Sequence, residues 1–171
     1  MATTYELIAS TTVGSGGASS IDFDSIPGTY NDLLLLVSLK DNGSGDINNM
    51  NIGFNSSTSN FSYRSLYTFG SSAASDNSSN NQFIGFTTQS GSGVTSIFNN
   101  MQIYIPNYTS SNYKSISVDG ASEKNGTTSV GLVLDTSLWS NTAAITKVTL
   151  TSLSQNWVQY STAYLYGIKN S

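Results

Sequence analysis

Short runs of alternating apolar and polar residues recur along the whole chain. Residues 21–23 read apolar, polar, apolar, and Ile103 and Ile105 flank Tyr104 in the same way. Alternation with a period of two is typical of strands that bury one face. Sustained helical periodicity is missing, and residues 137–144 fit one helical turn at most. The predicted strands are residues 5–9, 21–23, 33–39, 51–54, 62–69, 82–87, 97–105, 115–119, 129–134, 146–150 and 163–169.

Clusters of Gly, Ser and Asn separate these runs, and only two Pro occur. Residues 70–81 and 89–96 are polar tracts that we expect to be exposed loops. Many short strands with frequent turn signals are typical of a sandwich or barrel. The sequence therefore predicts an all-β fold, an antiparallel β-sandwich with a jelly-roll-like topology. We expect residues 1–171 to form one domain.

The apolar positions also predict a core. Residues 33–39 are almost continuously apolar, which is typical of a strand covered on both faces. Elsewhere the alternation selects one face per strand. The residues predicted to be mostly buried are Leu34, Leu36, Ile103, Ile105, Val118, Leu132, Val148 and Tyr166.

Composition narrows the chemistry. The chain has no His and no Cys, only 9% of its residues are charged, and about half are Ser, Thr, Asn or Gly. Nucleophile–His triads are therefore impossible, and a zinc site lacks its usual ligands. We predict no catalytic residue, no cofactor and no metal site, and we interpret the protein as a non-enzyme.

The number and distribution of charged residues exclude some classes of binding partner. The formal net charge is -4, and the six Lys and Arg residues are scattered. Binding to nucleic acid or to anionic membranes requires clustered cations, so we expect neither. Residues 1–10 lack the basic and apolar regions of a signal peptide.

Two acidic features of the sequence are candidate sites. Asp22 and Asp24 share one strand face, and their spacing does not exclude the paired carboxylates of a glycoside hydrolase. The favoured interpretation is that both are solvated surface residues. Residues 41–46 offer oxygen ligands in a tight turn, but they lack the spacing of an EF-hand. A hairpin turn with Asn-Gly chemistry is the favoured interpretation there.

Three aromatic residues near the C-terminus are candidates for ligand or partner binding. Trp139, Trp157 and Tyr160 lie among polar residues, and exposed aromatic rings can hold sugars. For each Trp, the favoured interpretation is that it anchors a loop or packs in the core, because Trp is highly buried on average.

Three stretches carry a resemblance to a known group of proteins. They are residues 5–12 running into 21–33, residues 103–108, and residues 161–169. Together they resemble small β-rich virion proteins of tailed bacteriophages, either capsid decoration proteins or modules of head and tail fibres. The resemblance implies a location on the capsid surface and partners such as the major capsid protein or other virion proteins. It carries over no catalytic residue.

The combined interpretation is a non-enzymatic phage virion structural protein, with a capsid decoration (cement) protein preferred. The alternative is a carbohydrate-binding, receptor-recognition module of a fibre, with a host glycan as ligand. A glycan-degrading enzyme ranks third. We expect a homo-oligomer, with a trimer favoured, and contacts that are mainly uncharged. The first five residues are a candidate strand for pairing with a neighbour.

Overall fold

The computed structural model describes residues 4–45, 47–89, 97–123 and 130–169. Within these ranges the chain forms twelve strands and no helix, so no helix there has the length and hydropathy needed to cross a membrane. The strands are β1 (Tyr5–Thr12), β2 (Ile21–Phe23), β3 (Asp32–Asp41), β4 (Ile47–Phe54), β5 (Phe61–Phe69), β6 (Ser72–Ser78), β7 (Phe83–Gln89), β8 (Asn99–Ile105), β9 (Lys114–Ala121), β10 (Val130–Trp139), β11 (Val148–Ser152) and β12 (Thr162–Ile168).

The strands form two antiparallel layers. The large sheet has the order β1-β12-β3-β8-β9-β10-β5-β6, and the small sheet has the order β2-β11-β4-β7. The end of β3 joins them through a short parallel pairing with β7, where Lys40 and Asp41 lie opposite Thr88 and Gln89. The predicted all-β sandwich is confirmed, whereas the jelly-roll connectivity stays a prediction.

Each predicted strand overlaps an observed one, but one predicted loop is wrong. Residues 70–81 contain β6, which pairs with β5 from Tyr63–Ser78 to Phe69–Ser72. An edge strand needs backbone hydrogen bonds on one side only and no apolar face, so its polar composition concealed it. Of the other predicted loop, Gln89 ends β7 and residues 90–96 lie outside the described residues. Residues 137–144, which fit one helical turn at most, contain no helix, and residues 137–139 are the end of β10.

The core lies between the layers. Leu33, Leu35 and Leu39 of β3 meet Ile52 and Phe54 of β4 and the other buried side chains of this cluster. Four predicted core residues are confirmed as buried: Ile103, Ile105, Val118 and Val148.

The other four core predictions are wrong. Leu36 and Leu132 are exposed, and Leu34 and Tyr166 are only half-buried. All four lie on the outer face of the large sheet, because strand register places the odd-numbered neighbours of β3, β10 and β12 inward instead. Because side chains alternate between the two faces of a strand, shifting the assignment by one residue exchanges all inward and outward residues of that strand. The error therefore affects each strand as a unit.

Paired alanine substitutions test this assignment. Ile103→Ala removes a fully buried side chain and is expected to lower the free energy of unfolding by about 2–5 kcal/mol. Leu132→Ala trims a side chain that is 61% exposed, so its effect should stay below about 1 kcal/mol. Urea titration measures both values, and equal losses would show that the outer face is covered in the isolated protein.

Candidate functional site: the outer face of the large sheet

Exposed apolar side chains concentrate on one surface. Of the eleven large hydrophobic residues that are exposed in the described part of the chain, seven lie on the outer face of the large sheet. They are Tyr5, Leu7, Leu36, Leu66, Leu132, Leu134 and Tyr164. Five of the seven, all except Tyr5 and Leu7, line one groove, and clustered exposed apolar side chains mark interaction sites.

Strand register sets these residues in line. Leu66 of β5 pairs with Leu134 of β10, which pairs with Asp119 of β9. Asp119 pairs with Gln102 of β8, and the row continues through Leu36 of β3 to Tyr164 of β12. One transverse row therefore has apolar ends and a polar centre.

The face is concave and forms a groove of about 920 Å³. One wall carries Leu36, Tyr164 and Tyr166, and the other carries Leu66 and Leu134. The floor between the walls is polar, with Asn100, Gln102 and Asp119. We call this feature the sheet groove.

The apolar run of β3 explains one wall. Its inward residues alternate with Leu34 and Leu36 on the outer face, and Leu36 lines the sheet groove. The sequence predicts a strand covered on both faces, yet the described residues cover only one. The second apolar face of β3 is therefore the sequence signal for the groove. The prediction that Leu34 and Leu36 belong to the core is wrong for this reason.

The described residues that line the sheet groove carry one formal charge, the carboxylate of Asp119. Asp119 is exposed and has no hydrogen bond or ion pair within the described residues. Another acid of the large sheet has partners: Asp32 accepts hydrogen bonds from the Tyr104 hydroxyl at 2.8 Å and the Asn107 amide at 2.8 Å. The Asp32 hydrogen bond, aided by burial, raises the pKa of Tyr104.

The two candidate Trp residues lie in the core rather than at the surface. Trp139 is 1% exposed and packs against Phe54 and Phe61, with ring centroids 5.4 and 6.2 Å away. Trp157 is fully buried, and its indole Nε1 donates a hydrogen bond to the Leu150 carbonyl at 3.2 Å. Neither indole offers a ring face to a ligand at the surface. Tyr160 is 67% exposed but does not line the sheet groove.

The acidic pair at Asp22 and Asp24 is held by a cation. Lys147 Nζ lies 3.1 Å from the Asp22 carboxylate and 3.0 Å from that of Asp24. Partial burial opposes ionisation of Asp22, but hydrogen bonds from Ser20, Thr149 and Lys147 outweigh it and lower its pKa. This geometry fits an ionised surface cluster, in agreement with the favoured interpretation.

Residues 41–45 form a connection between the layers, so the hairpin interpretation is wrong. β3 and β4 are not paired, because β7 lies between them. Asp41 is buried, and its carboxylate accepts hydrogen bonds from the Gly43 amide at 2.9 Å, from Asn48 Nδ2 at 3.1 Å and from the Ser152 hydroxyl. Asp46 lies outside the described residues, within which no three His, Cys, Asp or Glu side chains cluster as metal ligands.

The three stretches that carry the phage resemblance meet at one place. The Tyr108 hydroxyl donates a hydrogen bond to the Pro27 carbonyl and lies 3.4 Å from the Tyr30 amide. The Tyr30 ring in turn covers Gly167, where an added Cβ would approach it to 2.3 Å. These contacts give Tyr30 and Tyr108 a structural role, because they hold the segment before β3 against the segment after β8 and against β12.

One buried acid was not identified from the sequence. Asp135 of β10 is 3% exposed, and neither carboxylate oxygen has a hydrogen bond within the described structure. Burial raises its pKa to about 6. The inward parity of β10 places it among Val133 and Ser137, so only the register reveals its burial.

Comparison with known proteins adds no family to this description. No protein-family model matches the chain, and no curated protein matches its sequence.

Proposed function

We propose that the protein is a non-enzymatic structural component of a tailed-phage virion, bound as a decoration protein to the outer surface of the capsid. The observation that carries the proposal is the sheet groove, a concave face with apolar walls that the described residues leave uncovered. Exposed apolar surface of this extent marks interaction sites in soluble proteins. The chemistry of its walls, mainly Leu with Tyr, favours a protein surface as the partner.

The low charge of the chain supports the same mode of attachment. The groove offers one carboxylate and no Lys or Arg among its described lining residues. Burial of apolar area would then supply most of the affinity, with Tyr164 and Tyr166 as aromatic anchors. Homo-oligomeric copies, with a trimer favoured, would arrange several such grooves around a local symmetry axis.

A charge placed on the groove wall tests the proposal. Leu134→Asp should weaken rebinding to stripped virions of the encoding phage by about 100-fold or more, because it would bury an unpaired charge. The matched control is Leu153→Asp, a Leu next to β11 in the small sheet that is also about half exposed, and this variant should bind like the parent protein. Sedimentation of the protein with particles measures both.

Salt dependence provides the second half of this test. Apolar contacts are insensitive to screening, so binding should change little between low and high salt. Steep release by salt, or equal binding of the Leu134→Asp and Leu153→Asp variants, would contradict docking through the groove.

The alternative is a glycan-binding module of a fibre, and one observation favours it. The sheet groove carries the Tyr164 ring on one wall and the polar side chains of Asn100, Gln102 and Asp119 on its floor. Aromatic faces combined with amides and a carboxylate can hold sugars. Failure to associate with virions, together with binding to a glycan array that Tyr164→Ala abolishes, would favour this function.

A further inference from the structure

The centre of the sheet groove places strict demands on whatever fills it. Asp119 lies on the floor between Gln102 of β8 and Leu134 of β10. Within the described residues its carboxylate has no ion-pair partner. Covering a carboxylate with apolar groups alone would cost several kcal/mol, since a buried charge requires a partner. The occupant must therefore bring a positive group to this point.

The residues around Asp119 determine which side chains must flank the cation of the occupant. The two walls are apolar, with Leu36 and Tyr164 on one side and Leu66 and Leu134 on the other. Side chains that flank the cation must accordingly be apolar to displace water from these walls. The Gln102 and Asn100 amides can supply hydrogen bonds to the backbone or to the cationic head.

The width of the groove suits one segment of chain. Three strand spacings separate β3 from β10, which is about 14 Å across a flat sheet. A helix with its side chains is about 10–12 Å wide, and an extended strand is narrower. A whole globular surface would reach the floor only by projecting such a segment.

A second copy of this chain fits the groove poorly. Of its cations, Lys40 and Lys114 are buried, whereas Lys147 and Lys169 already pair with carboxylates. Arg64 of β5 lies on the same outer face as Asp119, and two concave faces cannot fill one another. Lys124 lies outside the described residues.

We propose that the sheet groove receives a peptide segment of a partner protein that carries one Lys or Arg between apolar side chains, and that Asp119 pairs with this cation. This inference rests on the proposed function, because it specifies which part of a capsid partner the groove would hold. Asp119 supplies the specificity, and the Leu and Tyr walls supply the buried area.

Selection from a displayed library of random peptides on the immobilised full chain tests the proposal. The selected peptides should share one Lys or Arg flanked by Leu, Ile, Val or aromatic residues. For a synthetic peptide of the selected sequence, Asp119→Asn should raise the Kd by about 10- to 100-fold, the effect of losing a charged hydrogen bond. Asp119→Lys should redirect selection toward peptides with a central Asp or Glu.

Matched variants separate this pairing from general damage. Asp24→Asn removes an exposed carboxylate beside the small sheet, and the Kd for the selected peptide should not change. Peptides without a basic residue, a Kd unaffected by Asp119→Asn, or no selected peptide at all would overturn the proposal. Binding of a glycan array or of oleate to the groove in place of peptides would also overturn it.

Virion binding distinguishes this inference from the proposed function. If Leu134→Asp abolishes association with virions while Asp119→Asn leaves it unchanged, the groove still docks on the particle and only the cation pairing fails. If the parent protein selects cation-bearing peptides but does not associate with virions, the groove binds a segment of another protein and the virion role fails.

Discussion

Trp157→Ala is expected to lower the free energy of unfolding by about 3–5 kcal/mol, because truncating a large buried aromatic leaves a cavity that the core fills only in part. Trp157 is fully buried, and its indole hydrogen bond to Leu150 ties the chain before β12 to β11. Its backbone also exchanges hydrogen bonds with Ala18 at 2.7 and 3.0 Å. The residue thus connects three separate segments, and equilibrium urea denaturation measures its contribution.

The control is the exposed aromatic three residues later. Tyr160→Asn removes a ring that is 67% exposed. Asn is tolerated in the left-handed backbone conformation at this position, where φ is 71°. Its stability should remain within about 0.5 kcal/mol of the parent. Similar midpoints for Trp157→Ala and Tyr160→Asn would show that Trp157 is not a core residue, and would restore it as a candidate for ligand binding.

Asp135 should make the protein less stable as the pH rises from about 4 to above 6. Burial raises the pKa of this carboxyl from 3.8 to about 6 in the folded state. The folded protein therefore holds the proton where the unfolded chain has lost it, and this contribution is present below pH 4 and lost as pH rises through 6. The full effect is about 3 kcal/mol at neutral pH.

Asp135→Asn isolates that effect. The amide cannot ionise, so the stability of the variant relative to the parent should increase between pH 4 and pH 7 by about 3 kcal/mol. The difference between the two proteins cancels other acids, such as Asp22, whose lowered pKa gives the opposite slope. Asp24→Asn serves as the exposed control, and denaturation across this pH range is the measurement. A constant difference between Asp135→Asn and the parent would contradict the assignment.

Much of the site was present in the sequence but was assigned to the wrong face. In β10 both parities are apolar enough to be inward, with Leu132 and Leu134 competing against Val133. In β12, size alone favours Tyr164 and Tyr166 as core residues over the smaller residues that alternate with them. Instead Ala163, Leu165 and Gly167 face inward. The Tyr30 ring packs over Gly167 and leaves no room for a side chain there.

The sequence by itself determined the class of fold and the kind of surface. Alternation with a period of two predicted the strands, and a composition low in charge and without His or Cys set the chemistry available. Only the tertiary structure decided which face of each strand is core, that both Trp residues are buried, and that Asp119 lies between two apolar walls. Those facts depend on register and on contacts between residues far apart in the chain, and local patterns do not contain them.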